Sequence, residues 1–137
     1  MNRSLVLRLL AAAALVGIAV VHLDIAGNYK GLGKHPLALT DQFYVQGALG
    51  ILLALALVVR PHLLVWAAAL LFSVGSLAVL VYSRYHALPI YGLPGGFQES
   101  WDVKGAKPAA YFEGAAIVLT AAGAALSRGF VRTTHES

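Results

Sequence analysis

Residues 43–83 read FYVQGALGILLALALVVRPHLLVWAAALLFSVGSLAVLVYS. Two long apolar runs stand back to back here, separated only by Arg60-Pro61-His62. A helix that crosses the hydrocarbon core of a bilayer needs about 20 mostly apolar residues, and each run approaches or reaches that length. Joined by so short a turn, the two helices must run antiparallel. Two further segments of the same kind lie outward of this pair. One covers 5–23, interrupted only by Arg8, and the other covers 109–127. With spans at about 5–23, 41–59, 63–83 and 109–127, the pattern predicts an all-α, four-helix transmembrane bundle in a single integral-membrane domain.

The composition agrees. Of 137 residues, 59% are hydrophobic and only 12% charged, with a mean hydropathy of +0.75. Soluble domains carry about a quarter charged residues, and a chain this short leaves much of its surface in water. The absence of cysteine excludes disulfide chemistry, thiolate zinc sites, c-type haem attachment and iron–sulfur clusters. A net charge of +4 comes without any dense Lys/Arg run, so it reads as membrane anchoring and not as nucleic-acid binding. The first segment has the basic start of a secretory leader. Its apolar run is long and lacks a convincing A-x-A site before Asp24, so it reads as a retained span.

Helix ends carry their own signals. Thr40-Asp41 reads as an N-cap for the second helix, and Pro61 and Pro108 suit a first helical turn. Cations near the ends set orientation. Arg3, Arg8, Arg60, Arg128 and Arg132 fall on one side, and Lys30, Lys34, Arg84, Lys104 and Lys107 on the other. That count is balanced. The short turn holding Arg60 tips it toward cytoplasmic N- and C-termini, while every acidic residue but Glu136 falls on the opposite side. Residues 24–40 and 84–107 then form two long loops on the extracytoplasmic face. Their turn residues are interleaved with Tyr91, Phe97 and Trp101, which predicts an ordered cap.

Ionisable groups inside a bilayer are expensive and point to function by default. Here they gather near the loop end of every span. The candidate ligand-binding set is His22, Asp24, Tyr29, Gln46, Tyr82, His86 and Glu113. His22, His86 and Glu113 form a candidate metal set, and the two histidines suit a b-type haem, because imidazole is the commonest metal ligand. No HxxxH or HxxE spacing supports them. Glu113 reads either as a proton acceptor or cation ligand, or as a structural partner for His22, Arg84 or Tyr82. All six tyrosines lie toward the loop end. They form an aromatic belt or a cup for a flat, amphipathic ligand such as a quinone. Two neighbouring stripes on the third span read as inward-facing: Ser73, Ser76, Leu80 and Ser83, then Gly75, Val79, Tyr82 and His86. On the fourth, Glu113, Ala116, Thr120, Gly123 and Ser127 do so as well. Small residues of this kind let membrane helices pack closely.

Two short motifs carry a resemblance. His22-Leu23-Asp24 through Gly27-Asn28-Tyr29-Lys30, followed by Phe43, resembles a segment found after the first span of small four-span actinobacterial membrane proteins. Tyr91-Gly92-Leu93 with Gly96-Phe97-Gln98-Glu99-Ser100 resembles the segment before their fourth span. That group has no assigned function, so the resemblance implies architecture and a bacterial plasma membrane, and it directs interest to His22, Tyr29, Lys30, Phe97 and Glu99. More distantly, the layout is similar to the DoxX-like family, some of whose members are quinone-linked oxidoreductase subunits. The expected partners are the lipid bilayer and either other membrane subunits or a second copy of the chain. Three functions remain open on the sequence: a ligand-binding or redox-associated protein (quinone, lipid, haem or metal), an accessory subunit, or a small transporter.

Overall fold

A computed structural model describes residues 2–135, with side chains described for 2–128. Arg132 and Glu136, which enter the orientation count above, lie outside the described side chains. Four helices dominate the chain: α1 (Arg3–Ala26), α2 (Leu39–Val59), α3 (Leu63–Tyr85) and α4 (Ala106–His135). Each contains a stretch long and apolar enough to cross a membrane, and together they mark a multi-pass membrane protein. α1 packs along both α2 and α4, and α4 along α3, whereas α2 and α3 touch only sparsely.

The bundle interior mixes alanines with a few large apolar side chains, and many large apolar side chains lie on the outside. Ala11, Leu15, Ile18, Leu57, Ala69 and Ala116 are sealed in its centre. Leu64 and Leu71 are each 72% exposed and Val118 69%. In water this distribution would be ruinous. In a bilayer, lipid tails solvate Leu as well as a protein core does, and close backbone approach supplies the packing energy. Gly50 shows how close: a Cβ built there would sit 3.1 Å from the Leu15 carbonyl oxygen on α1.

Several helix ends differ from the sequence expectation. α2 begins at Leu39, so Thr40 lies inside its first turn and does not cap it. The Thr40 hydroxyl donates instead to the Ala26 carbonyl at 2.6 Å, tying the start of α2 to the end of α1. Pro61 lies ahead of α3, whose N-cap is His62; its Nδ1 accepts from the Leu64 amide at 3.2 Å. Arg8 does not merely interrupt a span. Its guanidinium donates from Nε to the Leu57 carbonyl at 3.1 Å and from Nη2 to that of Val58. Those carbonyls belong to the last turn of α2, where backbone acceptors lack helical partners.

The second loop contains strands that the sequence reading does not anticipate. β1 (Leu88–Ile90) and β2 (Leu93–Phe97) form an antiparallel hairpin across Tyr91-Gly92. Gly92 has φ +76°, a conformation suited to glycine. The first loop is bound to this hairpin, with the Lys34 amide donating to the Tyr91 carbonyl at 2.8 Å. Ile25, Tyr29, Leu39, Ile90 and Phe97 form an apolar core of their own beneath it. The loops thus make an ordered cap because they bury a second core.

Candidate functional site

Between the cap and the bundle lies a cavity of about 70 Å³. α1 contributes His22 and Ile25 to its wall, α2 Phe43 and Gln46, α3 Ser76 and Arg84, and the hairpin Phe97. Most of the lining is apolar and a few polar groups converge on it, the usual character of a small-molecule site.

His22 is fixed by its own helix. Its Nδ1 lies 2.7 Å from the Ile18 carbonyl oxygen. A carbonyl only accepts, so Nδ1 carries the proton and Nε2 is the ring nitrogen left for other partners. The edge of Phe43 holds the ring from the other side, with centroids 5.5 Å apart. Nε2 lies 3.9 Å from Oε1 of Glu113. Glu113 is fully buried, seven residues into α4 and so about 10 Å along its axis. Neither of its carboxylate oxygens has a hydrogen-bond partner. The buried hydroxyls of Ser73 and Thr120 are engaged elsewhere, donating to Ala69 and to Ala116, each on its own helix. Burying a polar group without a partner costs a few kcal/mol. The pair is short of a proton or a donor.

A second polar group closes the cap side. The Tyr29 hydroxyl donates to Glu99 Oε2 at 2.8 Å. Arg84 Nη1 lies 3.9 Å from the same oxygen and donates to the Ser100 carbonyl at 2.6 Å. Tyr29 also meets Phe43 and Phe97 edge-on, at centroid distances of 5.0 and 5.6 Å. Towards the bilayer, Gln46 Nε2 donates to Ser76 Oγ at 2.6 Å, joining α2 to α3.

Of the sequence candidates, His22, Tyr29 and Gln46 line the cavity, and Glu113 stands behind His22. The other three do not join them. Asp24 is on the surface, 3.3 Å from Lys104 Nζ, where an exposed ion pair contributes little. Tyr82 and His86 are exposed and stack on each other with centroids 5.0 Å apart. They belong to the outer of the two stripes on α3: Gly75, Tyr82 and His86 are exposed and Val79 is about half exposed beside the cavity, while Ser73 and Ser83 are buried. The candidate metal set His22, His86 and Glu113 is not brought together. His86 does not reach the His22–Glu113 pair, and among the described residues no three His, Cys, Asp or Glu side chains come together as a metal site. Of the two histidines expected for a haem, His22 is buried in the bundle and His86 is exposed at the end of α3. Arg84 and Ser76 are the residues the sequence reading did not select. Arg84 had the signal of a cation at the end of a span, and Ser76 looked like packing alone.

Fold and site together define a four-helix membrane bundle with a capped cavity at one end. No family model, curated protein or solved structure matches the chain. The functional reading therefore rests on the site itself.

Proposed function

We propose that this protein binds, in the cavity beneath its extracytoplasmic cap, the flat, oxygen-bearing head group of a membrane-dissolved molecule of the quinone type. The observation that carries this reading is the His22–Glu113 pair: a sealed carboxylate with no hydrogen bond, 3.9 Å behind a cavity-lining imidazole. An arriving hydroxyl or carbonyl head changes what His22 Nε2 can donate to or accept from, and Glu113 is placed to follow with a proton. The aromatic edges of Phe43, Tyr29 and Phe97 suit a ring. Binding is favoured over transport because apolar side chains, Leu15, Ile18 and Leu57 among them, fill the interior of the bundle.

The test is equilibrium binding of duroquinone, a one-ring quinone without a tail, to protein in lipid nanodiscs. Wild-type protein binds it, His22→Leu weakens binding at least tenfold, and Glu113→Gln weakens it at least threefold. No binding, or equal binding by all three proteins, overturns the proposal.

A further inference from the structure

A cavity of about 70 Å³ is roughly half the ~150 Å³ that holds a benzene ring, so a ring-like head enters only as its walls open, and a long tail finds no room there. A membrane-dissolved molecule seated there must therefore let its tail leave the cavity. The walls decide where. α1, the start of α4 and the cap line it on three sides, and α1 packs closely on both α2 and α4. The remaining side is the α2–α3 seam, where the two helices touch sparsely.

Along that seam lies a second space, an open groove of about 440 Å³. Val45, Leu49, Leu71, Phe72 and Gly75 line it, all within spans long and apolar enough to cross a membrane. Gln42, Gln46, Ser76 and Val79 belong to the walls of both cavity and groove. The two spaces are thus neighbours across a partition one side chain thick. The middle of that partition is the hydrogen bond from Gln46 Nε2 to Ser76 Oγ at 2.6 Å.

Resting on the binding function proposed above, we infer that the α2–α3 groove holds the apolar tail of the molecule whose head occupies the cavity. The Gln46–Ser76 bond is the closure which the tail displaces. The chemistry fits both ends. The groove is apolar and faces hydrocarbon, so a tail exchanges one apolar neighbour for another and enters without leaving the bilayer. The single bond to be opened is a side-chain hydrogen bond between membrane helices, a kind that contributes little on average. The ligand class is accordingly a molecule with one small ring-like head and a single chain, reached sideways from the membrane.

Gly75 provides the test. A Cβ there meets no atom within 4 Å, and Gly75 lines the groove, so a larger side chain starts from open space and takes up room in it. Gly114 on α4 is equally open and serves as the control. Duroquinone and a decyl-tailed quinone are titrated into nanodiscs carrying wild-type, Gly75→Phe, Leu49→Trp or Gly114→Phe protein. Wild type and Gly114→Phe bind both probes. Gly75→Phe and Leu49→Trp bind duroquinone within twofold of wild type and lose at least tenfold in affinity for the tailed quinone. If both groove variants bind the tailed probe as wild type does, the inference is overturned while the cavity reading stands. Failure of duroquinone to bind wild type removes the cavity reading and this inference with it.

Discussion

Gln46 on α2 and Ser76 on α3 make the one side chain to side chain hydrogen bond between those two helices among the described residues. It crosses the least packed seam of the bundle, between a polar cavity and an apolar groove. Gln46→Leu keeps the size of the side chain and removes the bond. Its expected effect on stability is small, about 0.6 kcal/mol. Its expected effect on exchange of a tailed quinone is larger, an acceleration of at least threefold by stopped-flow fluorescence. Unchanged exchange with lowered stability would make the bond a packing detail.

Tyr29 and Glu99 lie 70 residues apart and join the first loop to the segment after the hairpin. A hydrogen bond to a charged group contributes about 1.5–3 kcal/mol, less where water reaches the carboxylate, as it does here. Tyr29→Phe and Glu99→Gln should therefore be non-additive by about 1 kcal/mol in a double-mutant cycle read by thermal unfolding. Amide exchange over 88–97 should quicken in both single variants. Additive effects would show that the cap is held by its apolar core alone.

Arg8 donates to two carbonyls in the last turn of α2. Arg8→Leu suits the bilayer better by polarity yet leaves those acceptors unpartnered. A loss of about 1–2 kcal/mol is expected, measured as a lowered unfolding midpoint in detergent. A variant as stable as wild type would mean that lipid headgroups or water satisfy those carbonyls.

Two glycines give opposite expectations. At Gly50 an added Cβ faces the Leu15 carbonyl at 3.1 Å and Ala19 Cβ at 3.3 Å. Gly50→Leu should push α1 from α2 and cost about 1–3 kcal/mol. Gly75→Leu points into the open groove and should be neutral or slightly stabilising, since leucine is the better helix former. Equal costs in thermal unfolding would contradict the packing described.

The spans were legible because their signal is composition over some 20 residues, which no local detail disturbs. Their ends were less so. Thr40 has the chemistry of an N-cap, but a carbonyl at Ala26 competes for its hydroxyl across the loop, a partner invisible along the chain. On α4 the stripe through Glu113, Ala116, Thr120 and Gly123 faces inward as the spacing indicates. On α3 two adjacent stripes of small or polar residues looked alike. Only the rotation of the helix, set by α4 packing against its Ser73 side, turned Tyr82 and His86 outward. The hairpin was hidden for a related reason. Pro89, Pro94 and three glycines (Gly92, Gly95 and Gly96) read as turn residues, and its strands are held by the core that Tyr29 and Leu39 bring from elsewhere.

The central claim is that the cavity between cap and bundle holds a membrane-dissolved molecule by its head. Native mass spectrometry of protein released from nanodiscs loaded with decyl-tailed quinone addresses it directly. Wild-type protein should carry one quinone per chain, and His22→Leu, folded by circular dichroism, should carry at most a tenth of that. Equal loading of the two proteins, or none on wild type, would contradict the claim.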